Sequence, residues 1–175
     1  SEGMFDLSFG TGGRLMLQAP GMSQGSVVRS VVVLPNRRVL VAGDCASRYY
    51  TGGAKFCAVA IDERGEVDTS FASSGWFLPD VSAYHVDLIR YQLADVVVGP
   101  DGHLFLAGSC QSTGSQYYDF CVLAIDQAGK IYTRFGMDGL VTAGSASSFP
   151  ELMSSAIALR RGRLLLVGYA FGAPA

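Results

Sequence analysis

Apolar residues in this chain come in short blocks of four to eight, each closed by turn residues. VVVLP at 31–35, VLVAG at 39–43, VVVGP at 96–100, LFLAG at 104–108 and LLLVG at 164–168 are of this kind. Blocks this short, rich in Val, Leu, Ile and Phe, predict β-strands rather than helices. Strands are expected near 14–18, 28–35, 38–45 and 55–62, near 76–80, 92–99, 103–110 and 119–126, and near 139–143, 153–160 and 163–170. Pro100-Asp101-Gly102 is the clearest turn, because proline presets the first turn angle and glycine accepts a positive φ. Asn36 and Gly162 mark the corresponding turns.

The blocks repeat. DLSFGTGG at 6–13, DTSFASSG at 68–75 and YTRFGMDG at 132–139 share a phenylalanine and a closing glycine, with Phe9, Phe71 and Phe135 spaced 62 and 64 residues apart. VVVLPNRRVLVAGDC at 31–45, VVVGPDGHLFLAGSC at 96–110 and AIALRRGRLLLVGYA at 156–170 align without a gap. FCAVAIDERGEV at 56–67 and FCVLAIDQAGKI at 120–131 form a third set. One period in three blocks predicts a structural repeat, with units near 14–75, 76–139 and 140–175 inside a single domain over 1–175. Four antiparallel strands per unit is the arrangement of a propeller blade. The expected fold is therefore all-β, with antiparallel four-stranded repeats forming an incomplete β-propeller of about three blades, and a β-sandwich is the alternative. The segment 80–92 has no counterpart in the first unit and is expected to hold a short helix.

These repeats resemble the delta-60 repeat proteins, a family of exported bacterial proteins. The resemblance rests on DLSFGTGG at 6–13, VVVGPDGHLFLAG at 96–108 and FCVLAIDQAG at 120–129, and it departs at Ala72, Tyr132 and Arg134. It implies a propeller-like arrangement of sheets.

Composition narrows the function. With 13 Lys and Arg against 15 Asp and Glu, the net charge is −2, and no global field exists to hold nucleic acid or an anionic membrane. Twenty-two glycines and a charged fraction of 16% fit a chain of many tight turns. No apolar run approaches the roughly 20 residues of a membrane helix. Ser1-Glu2-Gly3 lacks the basic start and apolar stretch of a leader, so export implies one already removed.

Four cysteines occupy two repeat positions, Cys45 with Cys110 and Cys57 with Cys121. Within a unit the two lie on consecutive antiparallel strands, close enough for bridges Cys45–Cys57 and Cys110–Cys121. Four buried thiols are the alternative. Bridges imply an oxidising compartment, the periplasm or the exterior. Zinc is not expected, since there is no CxxC and the histidines fall at unrelated repeat positions.

No P-loop, dinucleotide fingerprint, HExxH or GxSxG is present, and no enzyme or cofactor is expected. His103 is read as a surface residue and Asp62 and Asp126 as turn caps; the His85 and Asp87 pair could in principle serve a nucleophile but is not expected to. The loops carry more. ASRYYTGGAK at 46–55 and QSTGSQYYD at 111–119 are rich in Tyr, Ser and Gly, the composition of protein-binding loops. The candidate partner-binding residues are Ser109, Gln111, Ser112, Thr113, Gly114, Ser115, Gln116, Tyr117 and Tyr118, with Tyr49 and Tyr50 from the neighbouring loop. Tyr169 and Phe171 mark the same edge of the third unit.

A short, bridged, all-β chain with such a loop also resembles the periplasmic immunity proteins that protect bacteria from type VI-secreted peptidoglycan amidases. That resemblance implies a non-enzymatic inhibitor whose loop plugs a Cys-His cleft. Two alternatives stand beside it. One is a carbohydrate-binding propeller module completed by oligomerisation, although Trp76 is matched by Arg14 and Leu140 in the other units. The other is a surface interaction scaffold.

Overall fold

A computed structural model describes residues 3–22, 26–45, 54–79, 88–112, 117–144, 151–159 and 163–170, with the backbone alone for 88–90, 151–159 and 170. The architecture is all-β, and no α-helix occurs among the described residues. Strands β1 (Ser26–Val33), β2 (Val39–Cys45), β3 (Lys55–Ile61) and β4 (Trp76–Phe77) form one antiparallel sheet in that order. Strands β5 (Leu88–Val98), β6 (Leu104–Ser112), β7 (Asp119–Ile125) and β8 (Leu140–Ala143) form a second of the same order. Strands β9 (Glu151–Leu159) and β10 (Arg163–Ala170) form a hairpin.

Three expectations shift. The residues at 14–18 make no strand, only an isolated bridge between Gly10 and Arg14. Trp76–Phe77 pairs with β3 and closes the first sheet, so the sheets change after this strand instead of before it. Leu88–Gln92 is the start of β5, not part of a helix, because its apolar residues pair along β6; the rest of that expectation, 80–87, lies outside the described residues.

The hairpin turns follow the local chemistry. In the second sheet Gly102 takes φ 85° between Gly99 N–H and the His103 carbonyl, which meet at 2.7 Å. The first sheet closes the same turn from Leu34 to Arg38 at 2.8 Å, with Arg37 at φ 63° in the glycine's place.

Each sheet has two faces, and strand alternation assigns them. Leu40, Ala42, Ala58 and Ala60 of the first sheet pack against Val96, Leu104, Leu106, Leu123 and Ile125 of the second. We term the former the trailing face and the latter the leading face. The trailing face of the second sheet, Phe105, Ala107, Val122 and Ala124, packs in turn against Leu164 and Leu166 of β10. One interface is thus used twice.

A register slip recurs at the same repeat position, between Val28 and Ser30, between Leu93 and Asp95, and opposite Val167–Gly168. It explains a repeated glycine. A Cβ on Gly43 would overlap the Val27 carbonyl oxygen, and one on Gly108 that of Gln92, because the bulged strand passes too close for any side chain.

The turns between units lock the stack. Asp68 Oδ1 accepts from the Ser70 N–H at 3.0 Å and its hydroxyl at 2.6 Å, which drives Phe71 fully into the core. Ala72 N–H then donates to the Ala128 carbonyl of the next unit at 2.8 Å, as Gly10 N–H does to Arg64 at 2.7 Å. The receiving turns are capped by Asp62 and Asp126, each accepting two backbone N–H groups at 2.9 Å, the role their position before a turn suggests.

Candidate functional site

At one end of the stacked sheets, β2 runs into the segment 46–54 and β3 returns from it. Cys45 lies opposite Lys55 and Cys57 opposite Gly43, so the two cysteines are diagonal neighbours on one face. They are bonded, with Cα atoms 5.8 Å apart across a sequence separation of 12. Closing a loop of this length stabilises the folded chain by about 3 kcal/mol in the chain-entropy view. The bridge packs with Ala19, Met22, Trp76 and Leu78. Trp76 is therefore half-buried against the disulfide, where its ring serves packing.

The second pair has the same register, Cys110 opposite Asp119 and Cys121 opposite Gly108, yet it is not bonded. Both are buried free thiols, which corrects the expected Cys110–Cys121 bridge. The environments differ physically. Cys45 and Cys57 belong to a small cluster with Ala19, Met22, Trp76 and Leu78, whereas Cys110 and Cys121 are sealed in the core between the two sheets. Burial pushes the Cys121 thiol well above its ordinary range, with the Cys110 sulfur and the Asp119 carboxylate adding to the effect. A thiol raised in this way is protonated and inert.

A backbone bond brings the bases of the two Tyr-rich loops together. Tyr91 N–H donates to the Ala54 carbonyl at 2.9 Å, and Tyr91 pairs with Cys110, where β6 approaches its own loop. Beyond that base Gln111 and Ser112 are half-buried at the end of β6, Tyr118 is half-buried and Tyr117 is exposed. Thr113, Gly114, Ser115, Gln116, Tyr49, Tyr50 and Phe171 lie outside the described residues, as do His85 and Asp87. Tyr169 is exposed on β10.

Ser109 differs from the loop residues with which it was grouped. It lies inside β6, 2% exposed, so its hydroxyl faces the protein and not a partner. Its counterpart in the first sheet, Asp44, shows what this position does. Asp44 is buried, accepts from Arg29 Nε at 2.8 Å and from the Leu93 N–H at 2.6 Å, and so fastens β2 to β5 across the sheets. Ser30 adds a bond to Asp95 at 2.9 Å. Sequence reasoning missed this network, and its signal was the repeated glycine opposite a strand that must bulge.

His103 is half-buried, not a free surface residue. Its ring stacks on Tyr132 at 3.8 Å between centroids, and its Nδ1 lies 2.8 Å from Asp101 Oδ2. At the same turn-bearing end a groove of about 360 Å³ is lined by Asn36, Arg37, Arg38, Asp62, Glu63 and Arg64, a mixture of both charges. No group of three or more His, Cys, Asp or Glu side chains suited to a metal ion occurs among the described residues. Among the described residues no helix is long and apolar enough to cross a membrane.

No protein-family model matches this chain, and no curated protein matches it at a significant level.

Proposed function

We propose that this chain is an exported, propeller-like binding scaffold without enzymatic activity, which engages another protein through the end of the stack that carries the Cys45–Cys57 bridge. The 2.9 Å bond from Tyr91 to Ala54 carries this reading, since it gathers the bases of both Tyr-rich loops onto one stiff end. The disulfide is compatible with an oxidising, extracytoplasmic location. The preferred partner is a secreted peptidoglycan amidase, held in a one-to-one complex with a loop in its cleft. Gln111 and Ser112 supply hydrogen bonds there, and Tyr117 and Tyr118 supply contact area. Asp44 acts from behind by fastening β2 to β5.

Titration of the protein against a purified amidase of the Cys-His class tests the reading. Tight one-to-one binding that blocks peptidoglycan cleavage, lost in Ser112→Arg with Tyr117→Ala, is the expected outcome. Binding unchanged by both substitutions overturns the loop assignment.

A further inference from the structure

The leading-to-trailing packing occurs twice within the chain, and one half of it is left over at each end. Val31 and Val33 stand at the repeat positions of Val96 and Val98. Val96 is 5% exposed against the first sheet, whereas Val31 and Val33 are 58% and 68% exposed. At the other end Leu165 and Val167 stand at the positions of Phe105 and Ala107. The latter are 7% and 0% exposed beneath β10, and the former 46% and 47%.

Scattered exposed apolar residues need no explanation, but a β-branched row on an open sheet face does. Here the fold itself shows what covers such a row. The surface that packs on a leading face is a trailing face of the same repeat, and the described residues display one of each with its apolar side chains exposed. Leu17 and Ala19 lie toward the β3 and disulfide side of the first face, where Val59 and Ile61 are buried, and Val31 and Val33 on β1 stay exposed.

We propose that a second copy of this chain docks head to tail, its Val31 and Val33 face seated on the Leu165 and Val167 face of the first. The contact is heterologous, because each copy contributes a different surface. Successive copies then form a closed ring if the rotation closes and a filament if it does not. The assembly does not depend on the amidase reading.

Native mass measurement with deliberately blocked faces separates this arrangement from others. The unmodified protein associates as concentration rises. Val31→Lys with Val33→Lys blocks one face, and Leu165→Lys with Val167→Lys blocks the other. Each pair weakens self-association at least about 100-fold, as expected for losing two well-packed aliphatic side chains. Mixed together, the two variants regain association through their intact faces and stop at a one-to-one pair. An independent check needs no charged substitution. Chains carrying Val33→Cys and chains carrying Val167→Cys crosslink to each other at least about 10-fold more than to themselves. Monomers at every concentration of the unmodified protein overturn the proposal. So do a blocked variant that still dimerises alone, a mixture that stays monomeric, and crosslinks between like chains.

Discussion

Arg38 donates from Nη1 to Asp68 Oδ2 at 2.9 Å, and the repeat counterparts of these two residues, His103 and Tyr132, stack face to face. The same two positions thus join a hairpin turn to the unit's closing turn by charge in one unit and by rings in the next. Arg38 also donates from Nη2 to the Gln127 carbonyl at 2.8 Å and so ties the first sheet to the second.

Replacing Asp68 by Asn removes the ion pair and leaves Arg38, 17% exposed, without its carboxylate. The expected loss is about 2 kcal/mol of stability at neutral pH. The Ser70 hydroxyl, then its N–H, then Arg38 hold the Asp68 carboxyl below the ordinary 3.8. A depressed carboxylate stabilises the fold above its unfolded value and ceases to do so as pH falls through the folded one. Urea melts at several pH values check this: the gap between wild type and Asp68→Asn closes on acidification below 3.8.

Thiol titration separates the two cysteine pairs. Unfolded without reductant, the protein should release two reactive thiols, Cys110 and Cys121, while Cys45 and Cys57 stay bonded. Folded, it should release none at a comparable rate. Four thiols would remove the bridge, and none would place a second bridge in the core.

Ala72 takes φ 48° where the equivalent Gly10 and Gly136 take 55° and 56°. A left-handed alanine costs about 1 kcal/mol relative to glycine, so Ala72→Gly is expected to stabilise the protein by that amount in thermal or urea unfolding. The partner turn behaves oppositely. Gly129 has φ 77°, and a Cβ there would lie 2.8 Å from Ala72 Cβ and 2.9 Å from the Phe71 ring. Gly129→Ala is expected to cost about 2 kcal/mol or more by straining the backbone and parting the units.

Asp44→Ala should unfasten the sheets. It strands the Leu93 N–H between β2 and β5 and leaves Arg29 unpaired. A loss of about 2–3 kcal/mol in urea unfolding is expected, together with faster amide exchange at Leu93.

The strands and turns could be read from the chain because their causes are local: alternating apolar residues, Pro100-Asp101-Gly102, and aspartates placed before turns. The repeat even located the bonded pair Cys45–Cys57. What could not be read depends on the neighbouring unit. Ser109 looked like the stem of a loop, but it occupies the position of Asp44 and is covered by the adjoining layer. Cys110 and Cys121 share a register with the bonded pair, but they are sealed between the two sheets. Trp76–Phe77 belongs with β3 because the turn around Phe71 folds it back, a tertiary decision that no periodicity records.

The functional account rests on the bridged end of the stack being the surface that meets a partner. Hydrogen exchange of the protein, free and saturated with a purified peptidoglycan amidase, tests that claim most directly. The account predicts slowed exchange in segments 46–54 and 111–118 and none at the turns 62–66 and 126–130 on the opposite end. Protection confined to those turns, or no change anywhere, would contradict it.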